Sequence, residues 1–137
     1  MIKLSPNLVF KGQCEAAFKF YERCLDAKIT FMLTWRDSSM ADQAPAEWRD
    51  KILHASLKVG DDVLAGADVL PEQYVEPEGF SLMLGIDNPG DAERIFHALA
   101  EGGTVQFAIQ RTFWSQCFGA VVDQFGIPWS INCEEVK

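Results

Sequence analysis

Residues 80–109 read FSLMLGIDNPGDAERIFHALAEGGTVQFAI. Phe80–Ile86 is an apolar stretch of strand length. Asn88 is a preferred helix N-cap, and Pro89 behind it suits the first helical position, where a missing N–H costs nothing. Ala92, Ile95, Phe96 and Leu99 then recur at i, i+3, i+4 and i+7, one face of a helix. Gly102-Gly103 stops it, and Thr104–Ile109 is strand-like again. Downstream, Gln110–Gln116 is a loop carrying Phe113 and Trp114. Cys117–Asp123 and Ile127–Cys133 make a hairpin around Gln124-Phe125-Gly126. The tail Glu134–Lys137 is expected to fray.

Upstream the same order recurs. Leu4–Phe10 is a short strand broken by Pro6, which suits a sheet edge. Ala17, Phe18, Tyr21 and Leu25 give Gln13–Asp26 helical spacing. Ile29–Trp35 is β-branched and aromatic. Arg36–Asp50 is a polar loop holding Trp48. Lys51–Val59 and Val63–Asp68 flank a Gly60-Asp61-Asp62 turn. The acidic stretch Leu70–Glu78 joins the halves. Each half therefore reads βαβββ. An internal duplication is predicted, with repeats over 1–70 and 79–133 of a single domain, 1–137.

The chain has 137 residues, 48% apolar and 23% charged, enough to bury a core without staples. Twelve Lys and Arg against twenty Asp and Glu give a net charge of −8. That sign repels nucleic acid and anionic lipid. No apolar run approaches the roughly 18 residues of a membrane span. Met1-Ile2-Lys3 leads straight into a strand-like segment, so no signal peptide is expected and the cytoplasm is the default location. Cys14, Cys24, Cys117 and Cys133 show no C-x-x-C spacing and are read as reduced thiols.

The C-terminal stretch carries a resemblance: Thr112-Phe113-Trp114, Phe118-Gly119, Asp123, Phe125-Gly126 and Pro128-Trp129-Ser130-Ile131-Asn132. Ser5–Phe10, Ala17–Tyr21 and Ile52–Ala55 add to it. Across nearly its whole length the chain resembles the vicinal-oxygen-chelate superfamily of glyoxalases, bleomycin-resistance proteins and dioxygenases. Within it the match is to the PhnB-like branch, often labelled 3-demethylubiquinone methyltransferase-like. One departure is Leu25-Asp26 where the branch closes its first helix with Leu-Gly. The resemblance implies an α+β fold of two βαβββ modules. Their eight strands would form an open cup, with helices on the convex side and a small-molecule ligand in the concave one. It also implies a homodimer.

Strand alternation assigns faces. Leu53, Ala55, Leu57 and Val59 should meet a helix, leaving His54, Ser56 and Lys58 toward the cup. Phe80, Leu82, Leu84 and Ile86 likewise leave Ser81 and Met83, and Trp129 and Ile131 leave Ser130 and Asn132. Metal-dependent relatives hold their ion with His, Glu or similar ligands on the first and last strands of each repeat. The equivalent positions here are Pro6, Ser81 and Ser130, with the fourth near Ala65–Asp68. Proline offers no donor and serine is a poor ligand for a divalent ion, so no catalytic metal and no cofactor are expected. No Rossmann motif for S-adenosylmethionine supports the methyltransferase label.

Candidate site residues follow. His54 is either a cup-facing imidazole able to bind ligand or move a proton, or a structural histidine held within the sheet. Asp68 ends a strand of small residues that leave room above the sheet. It reads as a carboxylate at the pocket rim, paired with His54, against the plain alternative of a strand-end cap. Ser81 and Ser130 line the cup. Trp35, Trp48, Phe113 and Trp114, off regular core spacing, either wall an apolar pocket or close a dimer interface. Arg111 could bind an anionic group but reads as solvated. The expected function is binding of a small molecule without a catalytic metal. The alternatives are a metal-dependent lyase, transferase or dioxygenase and a drug-sequestering dimer.

Overall fold

The computed structural model describes residues 1–134. The chain divides into two compact units, Met1–Val75 and the part from Glu76 onward. The first contains β1 (Asn7–Phe10), α1 (Cys14–Leu25), β2 (Lys28–Thr34), β3 (Ile52–Val59) and β4 (Asp62–Asp68). Its sheet has the order β1-β4-β3-β2, with β1 parallel to β4 and the other pairs antiparallel. The second contains β5 (Leu82–Gly85), α2 (Pro89–Ala100), β6 (Thr104–Gln110), β7 (Ser115–Val122) and β8 (Pro128–Glu134). Its order is β5-β8-β7-β6, with β5 parallel to β8. The two topologies are the same, so the chain is α+β and built from two βαβββ modules.

Each helix covers one face of its own sheet. α1 buries Cys14, Ala17, Phe18, Phe20, Tyr21 and Cys24 against Leu8, Phe10, Ala55 and Leu57. α2 buries Ala92, Phe96 and Leu99 over β7 and β8, where Val121, Trp129 and Ile131 are fully enclosed. Both sheets admit a phenylalanine ring where a glycine lacks a side chain. A Cβ on Gly66 would stand 2.5 Å from Phe18, and one on Gly119 would stand 2.7 Å from Phe96. The Asn88 side chain accepts from Asp91 N at 3.0 Å, the expected cap. α1 ends on Asp26 in the left-handed region, φ 53°, a conformation that costs a non-glycine residue about 1 kcal/mol.

Several boundaries differ from the sequence reading. β1 starts at Asn7, not Leu4. Pro6 accepts from Ala65 through its carbonyl but has no N–H to carry the ladder further back, and Leu4 is exposed. β5 starts at Leu82, and Phe80 is exposed instead of packed on a helix. β7 begins two residues earlier than expected, at Ser115. The Ser115 hydroxyl is buried, accepts from Cys117 N and Cys133 N at 3.2 Å each, and donates to Cys133 O at 2.7 Å. Glu134 belongs to β8; the rest of the tail expected to fray lies outside the described residues. Among the described residues no helix is long and apolar enough to cross a membrane.

Candidate functional site

The face of the first sheet turned away from α1 carries His54 and Ser56, as the alternation of β3 requires. His54 lies opposite Leu33, and Ser56 opposite Phe31 and Ala65. Their neighbours Ala55 and Leu57 are fully buried on the helix side. His54 is exposed, and its ring stands 5.9 Å from that of Phe31, tilted by 48°. Phe31 is absent from the sequence reading. Its approach to His54 depends on a register shift between Ile29 and Phe31 that local alternation does not reveal.

Asp68 is not at that face and is not paired with His54. It shares the helix side of β4 with Leu64 and Gly66 and is 2% exposed. One carboxylate oxygen accepts from Gly12 N (2.9 Å) and Cys14 N (3.0 Å), and the other from Ile52 N (2.9 Å). Gln13, the residue before α1, makes no side-chain cap bond. Asp68 caps the helix from a distant strand instead, and ties the start of β3 to the same point. The space implied by its small neighbours is taken up by Phe18 and Cys14 over Gly66.

On the second sheet, the register places Met83, Ser130, Ala120 and Phe107 on the face away from α2, with Asn132 and Phe118 beside them. Ser81 and Ser130 share a hydrogen bond of 3.1 Å, and Ser130 is buried. Phe107, Phe118, Trp114 and Phe113 form a continuous edge-to-face series, with centroids 5.6, 5.5 and 4.8 Å apart. Such contacts favour a defined aromatic surface over independent side chains. Yet Phe113 is 92% exposed and Trp114 47%. The Asn132 Oδ1 atom is buried and meets no donor among the described residues. Phe107 escapes the sequence reading because it lies in a strand with two register irregularities.

Trp35 lies on neither sheet face. With Trp48 it lines a cavity of about 220 Å³ in the first unit. The Arg36–Asp50 connection is folded into two short 3-10 turns, Ala41–Gln43 and Ala46–Trp48, and holds Trp48 half-buried near Gly12.

Pro6 brings no donor, the Ser81 and Ser130 hydroxyls bond each other, and both oxygens of Asp68 are engaged on the helix side. Among the described residues no three His, Cys, Asp or Glu side chains come together.

The cysteines serve the core. All four are buried, and none is in a disulfide. Burial pushes the Cys14 thiol far above its usual value, and negative Asp68 and Glu15 push it further. Burial raises Cys117 and Cys133 as well. A thiol raised in the folded state stabilises fully below the unfolded pKa of about 8.5 and loses that contribution as pH climbs toward the folded value. Urea-unfolding stability should therefore fall above about pH 9, less steeply in Cys14→Ala. An identical slope in the variant would contradict this.

Comparison with known proteins fits this architecture. The chain is 33% identical to Protein YjdN of Escherichia coli (strain K12) over 137 residues, covering 94% of this chain and 93% of that one. It is 41% identical to the crystallised protein PA1353 from Pseudomonas aeruginosa, with a TM-score of 0.89 over 99% and 100% of the two chains. At 19% identity it shares its fold with a PhnB protein from Bacillus cereus, TM-score 0.81, over 96% and 99%. The fold is that of the glyoxalase/bleomycin resistance protein/dioxygenase proteins. Residues 2–132 match the sequence model of one family within that fold, and the chain belongs to it: the family described as 3-demethylubiquinone-9 3-methyltransferase.

Proposed function

We propose that this protein binds a small organic molecule on the sheet faces turned away from its helices, without a catalytic metal, as a cytoplasmic homodimer. The observation that carries the reading is the second-sheet face. An ordered aromatic series is exposed there, beside the Ser81–Ser130 hydroxyls and an Asn132 carbonyl oxygen that meets no donor among the described residues. An apolar surface with a few convergent polar groups is the usual make-up of a small-molecule site. His54 beside Phe31 adds a second polar and aromatic spot on the first sheet. The reading without a metal rests on the donor set: among the described residues no three His, Cys, Asp or Glu side chains come together. Dimerisation is supported by exposed Phe31, Phe80, Met83 and Phe113, apolar surface that a partner copy would cover.

Titration with 1-naphthol, followed by tryptophan fluorescence, tests the site. Saturable binding is expected, weakened about tenfold in Phe118→Ala, which removes the centre of the aromatic series. Affinity unchanged in both Phe118→Ala and Trp114→Ala would overturn the reading.

A further inference from the structure

The four strands of the second unit read LMLG, TVQFAIQ, SQCFGAVV and PWSINCE. Their one charged residue is Glu134, the last of β8. Among the described residues, every other charged side chain of this unit belongs to α2 or to a connection. The first unit differs: its strands carry Lys28, Lys58, Asp62 and Asp68 besides His54.

A sheet with one face packed on a helix ordinarily turns the other to water and fills it with polar residues. Here that face is open without being charged. Met83, Phe107 and Trp114 are exposed and Phe118 is half-buried, so a ligand reaches them without any enclosed atom having to open. Ser81 is exposed too, and in its 3.1 Å bond with Ser130 either oxygen can be the donor. The pair can therefore accept from a ligand hydroxyl or donate to a ligand carbonyl, but it neutralises no charge.

A charged ligand group laid on this face gives up water and meets no counter-charge from the strands, a cost that an uncharged group of the same shape does not bear. The net charge of −8 draws cations toward the protein as a whole, and that attraction is screened beyond about 8 Å at physiological salt.

We propose that the second-sheet face selects an uncharged, flat aromatic ligand carrying a hydroxyl or carbonyl group, and discriminates against both its anionic and its cationic analogues. This selectivity rests on the face being a small-molecule site, and it fixes the class of molecule the site takes.

The probes are 1-naphthol, 1-naphthoate and 1-naphthylmethylammonium, which near neutral pH present one ring system with no charge, a negative charge and a positive charge. Each is titrated into the 15N-labelled full-length protein at physiological salt while the indole N–H resonances are followed. Trp114→Phe assigns the tryptophan of the aromatic series, and Trp129, which donates to Asp123, is the fixed reference. 1-Naphthol is expected to move the Trp114 signal saturably, and both ions to bind about tenfold more weakly or worse. Met83→Lys, at an exposed position level with Ser130, puts a cation on the face. In that variant 1-naphthoate should gain about tenfold on 1-naphthol. Either ion binding as tightly as 1-naphthol to the wild type would overturn the selectivity and leave the small-molecule site standing. A preference unchanged in Met83→Lys would overturn it as well, since the discrimination would then lie elsewhere. A Trp114 signal fixed with all three probes, as for a face covered by a second copy, would remove the small-molecule site and the selectivity together.

Discussion

Asp68→Ala is expected to lower the unfolding free energy by about 3–5 kcal/mol. The substitution leaves the N–H groups of Gly12, Cys14 and Ile52 without their acceptor in a place that water does not reach. Each buried orphan costs about 1–3 kcal/mol, and the helix loses the negative charge at its N-terminus as well. Asp68→Asn should cost less, roughly 2 kcal/mol, because its oxygen still serves one side while its amide turns N–H toward N–H on the other. His54→Ala serves as the contrast. His54 is exposed on the opposite face, so its loss should stay within about 0.5 kcal/mol. Equal costs for Asp68→Ala and His54→Ala in urea unfolding would contradict the assignment of Asp68 to the core.

Gly66→Ala is the second large effect, a loss of about 2–3 kcal/mol. The new Cβ would lie 2.5 and 2.9 Å from two atoms of the Phe18 ring and 3.2 Å from the Cys14 sulfur. Phe18 cannot swing away: it is fully buried, edge-on to Phe10 at 6.2 Å and against Tyr21 at 6.1 Å. The strand must move off the helix, or the ring must leave its rotamer. Gly85→Ala is the control, since a Cβ there meets nothing within 4 Å, and its effect should be under about 0.5 kcal/mol. Comparable melting points for the two alanine variants would refute the packing argument.

These residues also show where sequence reading reaches. α2 was legible because its signals are local: Asn88, Pro89 and an apolar stripe lie within the helix they define. The β3 faces were legible for the same reason, with Ala55 and Leu57 inside and His54 outside. Asp68 was misread because its partners are 16 to 56 residues away. Small neighbours suggested open space, when Gly66 is small to receive Phe18. One clue was available: no Ser, Thr, Asp or Asn precedes α1, so its first N–H groups needed an acceptor from elsewhere. The Phe107–Phe118 contact depends on register shifts in β6, and the Trp35–Trp48 cavity on how a fifteen-residue connection folds back (Arg36 to Asp50). Neither leaves a periodic trace.

Native mass spectrometry of the protein, purified without chelator, tests the central claim most directly. It weighs assembly, organic ligand and metal together. The expected spectrum shows twice the 15.3 kDa chain carrying an organic adduct, with no mass that a chelator removes. The adduct should be lost in Phe118→Ala. One divalent ion per chain, removed by chelator and absent from His54→Ala, would contradict it.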